Sequence, residues 1–567
     1  MSVVATAGHV DHGKSALVRA LTGMEPDRWE AERRRGLTID LGYAWTTLPE
    51  VGPVAFVDVP GHRRFIGNML SGIGPAAGVL LVVAADGGWS AQSEEHLRAV
   101  HALRLRHGVL AVTRTDLADP GPTLATTRDH LRGTSLEGIP AVTVSARTGA
   151  GVPRLREELT ALVRRMPAPP ADAPVRLWVD RSFSVLGTGT VVTGTLAAGR
   201  VSSGDTLVLV PARGGRGRPV VVRGVHSMDH AVPAARGPAR VALNLRGVEV
   251  AEVGRGQALL SPEHPWWPST GVDVLLDDDR LPAEVTLHVG TAAVPARVRT
   301  LAGPHARLSW DPHLPLAPGD RLILREPGRE GALVGALVLD AVTPPLRRTG
   351  AARHRAAALE AAAGRSVVVA GRAVSSATAG AWREALVELV SRQAARDPLT
   401  PWVDADAALA ELRHRVGMPD LTTLRAVAAD AGLTAEGGRL LRDGPAQGTP
   451  DGLAVVLARL RADPLDSPTR PELAQLGLGP REVAAAARAA GVLRLPGDVL
   501  LGADAVEETL RRLDGLPQPF TPAQARATLG TSRRVLIPLL EHLDARGLTH
   551  RGGDGRRRVT GHPGAQG

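Results

Sequence analysis

The sequence predicts a multidomain chain in which an α/β domain is followed by two all-β barrels and by an α+β array of tandem winged helices. Three observations predict this order. Apolar runs alternate with helical patterns in the first third, the hydrophobic period then shortens to two residues, and the last third is rich in alanine and leucine at helical spacing. A single hydrophobic core does not extend over 567 residues, so several domains are expected.

The first predicted domain, residues 1–173, consists of βαβ units. Amphipathic stretches such as residues 93–106 lie between apolar runs, which indicates a parallel sheet with helices on both faces. The proline-rich stretch at residues 167–174 is typical of an extended linker and ends this domain. The buried strands predicted within it are residues 54–57, 78–85, 109–113 and 141–144.

Glycine-rich turns separate short β-patterned runs in the middle of the chain. The length of this region suits two small barrels, predicted at residues 174–264 and 265–345, with the segment 265–268 as the joint between them. The strands predicted within it include residues 190–195, 206–210 and 220–222.

A weak internal repeat marks the C-terminal third, residues 346–567. Three short segments recur about 55 to 60 residues apart, and each of them ends a helical stretch and precedes a glycine-turned hairpin. Helices followed by a small hairpin describe winged helices. Residues 346–396 leave room for a degenerate first copy, which would make four. The three segments begin at Ala431, Ala490 and Arg546.

The bulk composition narrows the class of protein. The chain has no cysteine, which excludes disulfides and thiolate metal sites and fits the cytoplasm. No apolar run approaches the roughly 20 residues that span a bilayer, and no secretory signal is expected. The formal net charge of +9 favours an anionic partner such as nucleic acid, although a general preference for arginine explains the same charge.

One motif in the α/β domain predicts a polyphosphate site. The chain's single lysine, Lys14, lies in the glycine-rich stretch Gly8–Ser15, between a predicted strand and a predicted helix. Such a loop wraps backbone N–H groups around phosphates, and a compact ammonium reaches them where a planar guanidinium is too wide. The residues expected to bind the nucleotide here are Val10, Asp11, His12, Gly13, Lys14, Ser15 and Ala16.

Three further segments complete a predicted guanine-nucleotide site. Ser15, Thr38 and Asp58 are expected to hold Mg²⁺, and the Gly61 N–H to sense the γ-phosphate. Asp116 follows a strand and offers a carboxylate to the two N–H donors on the guanine edge, which adenine lacks. The base is therefore expected to contact Thr113, Arg114, Asp116, Ser145, Ala146 and Arg147.

These motifs occur in an order that resembles a translational GTPase of the elongation factor Tu type. The matching motifs are GHVDHGKS, RGLT, DVPGH and the serine–alanine pair at residues 145–146. The resemblance implies binding of GTP and GDP with Mg²⁺, a catalytic role for His62 in orienting the attacking water, and an apolar gate formed by Val10 and Leu37. Thr113 replaces the family's asparagine, which ties the base loop to the phosphate loop, so weaker nucleotide binding is expected.

The rest of the chain resembles the bacterial selenocysteine-specific elongation factors, the SelB type. Its barrel signatures include residues 179–183, 187–195, 239–245, 319–325 and 338–340, and a winged-helix array follows the barrels. The resemblance implies that Asp180, Arg181 and Arg240 line a selenocysteine pocket, in which Asp180 orients Arg181. A surface ion pair is the alternative. The implied partners are selenocysteinyl-tRNA, a selenoprotein mRNA hairpin and the ribosome, and a monomer is expected.

The last predicted winged helix contains the densest basic cluster. Arginines at a helix start and in the wing suit the phosphates and loop bases of an RNA hairpin, and a solvated charged tail is the alternative. Two other functions remain open: a Tu-like GTPase coupled to sulfate activation, and a GTP-regulated winged-helix regulator that binds DNA. The arginines expected to bind RNA are Arg533, Arg534, Arg551, Arg556, Arg557 and Arg558.

Overall fold

The protein is described here by a computed structural model. It describes residues 1–26, 40–62, 65–170, 172–211, 217–278, 280–329, 332–397, 401–442, 451–479, 483 and 492–560. The chain divides into two compact units. The first consists of Met1–Ala381 and Arg415–Gly417, and the second of Trp382–His414 and Met418–Gly567.

The α/β domain is built on a six-stranded sheet in the order β2-β3-β1-β4-β5-β6. All neighbouring strands are parallel except β2 and β3. Its strands are β1 Ser2–Ala7, β2 Gly42–Leu48, β3 Gly52–Asp58, β4 Gly78–Ala84, β5 Gly108–Thr113 and β6 Ala141–Thr143. Its helices are α1 Lys14–Thr22, α2 Ile66–Ile73, α3 Ala91–Ala102, α4 Pro120–Leu131 and α5 Val152–Arg165.

Burial on both faces explains why the strands of this sheet appear in the sequence as continuous apolar runs. Every residue of β4 is buried, because separate hydrophobic cores cover the two faces of the sheet. The carboxyl ends of β1, β3, β4 and β5 therefore meet at one edge, and loops at that edge of a parallel sheet are where ligands bind. The phosphate-binding motif and Asp58 lie there.

The first barrel closes because β10 pairs with both β15 and β11, which joins the ends of the row β10-β15-β7-β8-β14-β11. Valine and leucine side chains at alternate positions fill its interior. The strands are β7 Arg176–Val185, β8 Gly189–Leu196, β9 Arg200–Ser202, β10 Thr206–Leu209, β11 Arg218–Ser227, β12 His230–Val232, β13 Ala234–Arg236, β14 Ala239–Arg246 and β15 Ala258–Leu260.

The second barrel is a closed ring in the order β16-β19-β18-β17-β20-β21. Two closed six-stranded barrels therefore follow the α/β domain, as the sequence predicts. The strands of this barrel are β16 Trp267–Leu276, β17 Glu284–Val289, β18 Ala292–Ala302, β19 His305–Leu316, β20 Arg321–Arg325 and β21 Leu333–Asp340.

A buried ion cluster attaches the next helix to the second barrel. Arg355 on α6, Ala351–Ala362, contacts Asp273 and Asp340 at 2.7 Å each, and both carboxylates are fully buried. Arg307 shares Asp273 at 2.7 Å. Removing one partner of such a cluster leaves an uncompensated buried charge, which costs about 3–5 kcal/mol. The helix is therefore fixed to the barrel.

The chain after α6 differs from the expected first winged helix. A hairpin follows, formed by β22 Ser366–Val369 and β23 Arg372–Ser375, and then the long helix α7, Ser376–Arg396. The backbone N–H of Ala373 donates to the carbonyl of Pro265, so this hairpin is hydrogen-bonded to the segment that precedes β16. Residues 346–375 are therefore an attachment of the barrel in the described chain, because their polar and apolar contacts go to it.

Three helix-and-hairpin units make up the rest of the described chain. The first contains α7, β24 Val403–Asp404, α8 Ala405–Val416, α9 Leu421–Asp430, β25 Leu433–Glu436 and β26 Arg439–Arg442. The second contains α10 Asp451–Ala462, α11 Arg470–Gln475, β27 Leu493–Leu495 and β28 Val499–Leu501. The third contains α12 Ala505–Asp514, α13 Pro522–Leu529, α14 Arg533–Ala545, β29 Thr549–Arg551 and β30 Arg557–Val559.

Local signals start several of these helices where the sequence is polar. Thr521 accepts from the Gln524 N–H and the Gln524 side chain accepts from the Thr521 N–H, which is a capping box before α13. Thr469 and Glu472 make the same pair before α11. In the part of the chain that the structure describes, no helix is both long and apolar enough to cross a membrane.

Candidate functional site

The phosphate loop joins β1 to α1 and contains two glycines in backbone conformations that favour glycine. Gly8 has φ +136°, and a Cβ there would lie 2.1 Å from the Val82 carbonyl oxygen. Gly13 precedes α1 with φ +82°, a left-handed conformation that favours glycine. The backbone N–H groups at the start of α1 are therefore left to face an anion.

The ammonium of Lys14 points back into this loop. Its Nζ donates to the carbonyls of Gly8 at 3.0 Å and His9 at 2.8 Å, and the residue is only 6% exposed. Those carbonyls hold the charge beside the loop, in the position from which it can contact a β- or γ-phosphate. The structure therefore places Lys14 where the motif predicts.

Ser15 and Asp58, two of the residues predicted to hold Mg²⁺, are hydrogen-bonded to each other. The Ser15 hydroxyl donates to Asp58 Oδ2 at 2.6 Å, and Thr6 donates to Oδ1 at 2.7 Å. Asp58 is fully buried, and desolvation raises the pKa of its carboxyl. A buried carboxylate next to a hydroxyl fits a hard divalent cation, which would compensate that desolvation. Thr38, the third predicted ligand, lies outside the described residues.

The turn after Asp58 touches the phosphate loop. A Cβ on Gly61 would lie 2.4 Å from the Val10 nitrogen and 2.7 Å from Lys14 Nζ, so only glycine fits. This close approach puts the Gly61 N–H at the loop, as expected of a γ-phosphate sensor. His62 follows Gly61 directly in the chain. Leu37, the predicted partner of Val10 in the apolar gate, lies outside the described residues.

The predicted base-binding residues converge on Asp116. Its carboxylate accepts from the Ser145 hydroxyl at 2.6 Å and from Arg147 Nε at 2.8 Å, and the hydrogen bond from Ser145 is the main cause of its lowered pKa. Ala146 lies between these two partners in sequence. Arg147 therefore forms an ion pair with Asp116 here, because a guanidinium next to a carboxylate makes a charge-assisted bond.

Thr113 connects the base loop to the phosphate loop. The sequence-based expectation is that this connection is lost, because threonine stands where the family has asparagine. Its hydroxyl donates to the His12 carbonyl at 2.7 Å, and the residue is 2% exposed. Arg114 adds a bond from its guanidinium to the Asp11 carbonyl. The end of β5 lies so close to the phosphate loop that a short hydroxyl spans the gap. This geometry contradicts the expectation that the base loop and the phosphate loop are not connected.

Two residues of α3 that sequence reasoning missed also hold the phosphate loop. His96 Nδ1 accepts from the Gly8 N–H at 3.1 Å, and Gln92 Oε1 accepts from the Val10 N–H at 3.3 Å. Burial lowers the pKa of His96 to about 3, so its ring is neutral and can accept. Their four-residue spacing on one amphipathic helix was the available signal.

A second site lies between β2 of the α/β domain and the first barrel. It is a cavity of about 160 Å³ lined by Tyr43, Arg181 and Arg240, among others. The Arg240 guanidinium stacks 3.9 Å from the centre of the Tyr43 ring. Burial raises the pKa of the Tyr43 phenol, which remains protonated and donates to Asp180 at 3.4 Å. We call this cavity the arginine pocket.

Asp180 does not orient Arg181, in contrast to the sequence-based expectation. Its carboxylate binds Arg240 with two bonds, one of them 2.8 Å, and accepts from Thr193 at 2.6 Å. Arg181 is the next residue on β7, at a β-bulge where the pairing of β7 with β8 shifts register. Arg181 instead pairs with Asp40 at 2.9 Å. The two arginines of the pocket therefore have separate carboxylate partners.

The six arginines predicted to bind RNA fall into two groups. Arg557 is 5% exposed and pairs with Asp544 at 2.9 Å, because alternation along β30 points it inward. Arg534 donates to the carbonyls of Ser467 and Pro468 at 3.0 and 2.9 Å, in the preceding unit. The guanidinium groups of these two residues therefore make contacts within the chain. The exposed members are Arg533, Arg551, Arg556 and Arg558.

Family models match three parts of the chain. The model for the elongation factor Tu GTP binding domain matches residues 1–165. The model for the selenocysteine-specific elongation factor beta-barrel domain matches residues 280–345. The model for the elongation factor SelB winged helix matches residues 511–558.

Curated relatives agree with these matches. The selenocysteine-specific elongation factor of Desulfomicrobium baculatum is 36% identical over 65% of this chain and 60% of its own length. That of Escherichia coli (strain K12) is 39% identical over 61% of this chain and 56% of its own length. The matched region thus spans less than two thirds of these two relatives. Elongation factor 1-alpha of Methanopyrus kandleri is 30% identical over 52% of this chain and 77% of its own length.

A solved structure supports the fold over the whole chain. The crystal structure of a bacterial selenocysteine-specific elongation factor, EF-Sec, has a TM-score of 0.64 at 24% identity and covers 99% of this chain and 100% of its own. The chain therefore belongs to the elongation factor Tu-like GTPase family and has the β-barrel and winged-helix domains that mark the SelB members of that family.

Proposed function

We propose that this chain is a GTP-dependent elongation factor that delivers selenocysteinyl-tRNA to the ribosome at UGA codons marked by an mRNA hairpin. The main observation in favour is the arginine pocket, in which Arg181 and Arg240 line a small cavity beside Tyr43. The names of the matched relatives support the same assignment. Under this proposal the α/β domain switches, the barrels hold the tRNA, and the winged helices bind the hairpin.

The pocket suits an anionic aminoacyl group. A selenol is far more acidic than a serine hydroxyl, so an esterified selenocysteine is largely anionic at neutral pH. Two guanidinium groups favour that anion, whereas a neutral serine side chain adds no charge to the ion pairs that they make with Asp40 and Asp180. The cavity of about 160 Å³ has room for a small side chain. Selection would therefore combine charge and size.

We assign nucleotide binding and hydrolysis to the edge of the sheet at which the phosphate loop lies. GTP and GDP would bind Val10 to Ala16 with Lys14 at the phosphates, and the base would lie at Asp116. Ser15 and Asp58 would hold Mg²⁺, which neutralises charge on the β- and γ-oxygens when bound. His62 would orient the attacking water. Hydrolysis to GDP and phosphate, stimulated by the ribosome after codon recognition, would then release the tRNA.

The exposed arginines of the last unit are assigned to the mRNA hairpin. Arg533 lies at the start of α14, and Arg551, Arg556 and Arg558 lie in the wing, where they can reach phosphates and stack on loop bases. Binding the hairpin would raise the effective concentration of the factor at one codon. We expect the protein to act as a monomer in the cytoplasm.

The two alternatives from the sequence receive no support from the family and relative matches. Neither sulfate activation nor DNA regulation needs a pocket with two arginines between the α/β domain and a barrel. A direct comparison of ligands separates all three functions: the GTP-bound protein is titrated with selenocysteinyl-tRNA, seryl-tRNA and duplex DNA. We expect the first to bind most tightly. Equal affinity for selenocysteinyl- and seryl-tRNA, or preference for the duplex, would contradict the proposal.

A further inference from the structure

The attachment of the second barrel, residues 346–375, has no role in the function proposed above. The sequence predicts a degenerate winged helix there, and the structure instead shows a helix and a hairpin that are bonded to the barrel. The charge of this segment is one-sided. It contains six arginines and a single acidic residue, Glu360.

Most of these arginines have no acidic partner. Arg355 is buried against Asp273 and Asp340, and the Arg372 guanidinium lies 4.7 Å from the centre of the Trp267 ring. Among the residues that the structure describes, no carboxylate forms an ion pair with the other four arginines, which are all exposed. We call these four the attachment patch: Arg347, Arg348, Arg353 and Arg365.

Three exposed arginines elsewhere on the two barrels do have acidic partners. These ion pairs are Arg218–Glu252 at 2.8 Å, Arg329–Glu326 at 3.4 Å and Arg297–Glu284 at 3.9 Å. A general preference for arginine adds cations to the chain, but it does not remove the acidic residues from one segment. A surface that collects cations without carboxylates attracts a polyanion, because binding relieves the repulsion among its charges.

The helix that separates the arginines has an open face of mostly short side chains. Leu359 packs on the barrel, so the opposite face of α6 is exposed, with alanines at positions 357, 358 and 361. Arg353 lies in the first turn, and Arg365 donates to the Ala361 carbonyl at 3.2 Å at the other end. A helix of this length spans about 18 Å. Cations at both ends of a shallow surface suit successive phosphates of a duplex backbone.

We infer that the attachment patch contacts the phosphate backbone of the tRNA whose aminoacyl end the arginine pocket holds. Patch and pocket belong to the same compact unit. The Arg355 cluster and the bond from Trp267 Nε1 to the Ala373 carbonyl, at 2.7 Å, fix the attachment to the barrel, so the patch is a preformed surface. Phosphate contacts add affinity without reading the aminoacyl group. The inference rests on the proposed function for the choice of tRNA as the polyanion.

The test is the salt dependence of tRNA binding. The full chain with a non-hydrolysable GTP analogue is titrated with the selenocysteinyl and seryl forms of one tRNA at several salt concentrations. The combined variant Arg347→Gln, Arg348→Gln, Arg353→Gln should reduce the slope of log affinity against log salt by about two to three for both forms, since each lost phosphate contact lowers it by about one. The ratio of the two affinities should stay within about threefold of wild type.

The combined variant Arg218→Gln, Arg297→Gln, Arg329→Gln is the matched control, because it removes the same charge from exposed ion pairs. We expect it to change the slope by less than about one. Arg353→Gln alone should lower the slope by about one, which provides a test should the combined patch variant not fold.

Three results would overturn the inference: an unchanged slope in the patch variants, an equal reduction in the control, or a reduction found with the mRNA hairpin instead of the tRNA. Each of them leaves the proposed function standing as long as wild type discriminates selenocysteinyl- from seryl-tRNA. Loss of that discrimination in wild type, with the slope still reduced in the patch variants, would overturn the proposed function and leave the patch as a tRNA-binding surface.

Discussion

The phosphate loop and the last winged helix both contain basic side chains that the sequence singles out, but the two regions differ in how well it predicts their roles. At the phosphate loop, Lys14, Ser15, Asp58 and Gly61 lie together as the motif predicts. In the winged helix, two of six predicted RNA-binding arginines are tied up in internal contacts. The phosphate-loop motif determines the local backbone conformation and therefore the positions of its side chains. A run of arginines does not determine which of its side chains are buried and which are exposed.

The largest effect expected from this comparison is at Lys14. Lys14→Arg should weaken GTP binding by about 100-fold or more, because the planar guanidinium does not fit between the loop carbonyls and the phosphates. Titration with a fluorescent GTP analogue measures it. Arg114→Lys is the control, and we expect a change of less than about threefold, since its ion pair with Asp86 is exposed. If Lys14→Arg bound GTP as tightly as wild type, the size of the cationic group would not be the reason for lysine at this position.

The next effect is a pH dependence of the stability of the α/β domain, to which two buried histidines of the nucleotide site contribute. Burial lowers the pKa of His96 to about 3 and that of His12 to about 4. The unfolded chain takes up protons from about pH 6.5 downward and the folded domain does not, so stability is complete above that pH. It then falls by up to about 1.4 kcal/mol per pH unit for each histidine, down to the respective folded pKa.

Pulse proteolysis in urea at neutral and mildly acidic pH measures this loss for the α/β domain. His96→Gln keeps an acceptor for the Gly8 N–H and should reduce the slope by about one proton. His550→Gln, on the exposed wing strand, should leave the slope of this domain as it is. A slope that is the same in His96→Gln and wild type would show that His96 takes up its proton equally in both states.

A smaller effect separates the buried and exposed arginines of the wing. Arg557→Ala should destabilise the last winged helix by about 2 kcal/mol, because it leaves Asp544 without its cationic partner and only the hydrogen bond from Thr549 remains. Arg558→Ala, its neighbour on the exposed face, should change stability by less than about 0.5 kcal/mol. Hydrogen exchange of the α14 amides in the full chain measures both. Equal protection in the two variants would mean that the buried pair adds no stability.

The smallest effect concerns RNA. Arg558→Ala should weaken binding of the mRNA hairpin and reduce the slope of log affinity against log salt by about one, which is the loss of one phosphate contact. Fluorescence anisotropy at several salt concentrations measures the slope. An unaltered slope in Arg558→Ala would remove this residue from the interface.

The sequence alone predicts the domain order and most of the nucleotide site, because period, glycines and motif spacing act over a few residues. It does not predict the contacts made between distant segments. The Thr113 tie to His12, the His96 contact with Gly8 and the Asp40 pair with Arg181 all join residues far apart in sequence. The attachment of α6 to the barrel through Arg355 was missed for the same reason, since helical spacing shows an element but not its partner.

The central claim is that the charges of the arginine pocket, rather than the body of the tRNA, select the aminoacyl group. One tRNA is charged with selenocysteine or with serine, and both forms are titrated against the GTP-bound wild type and against Arg240→Gln. We expect wild type to prefer selenocysteine by about 100-fold, and the variant to lose most of that preference by weakening the selenocysteine form alone. An undiminished preference in Arg240→Gln would contradict the account.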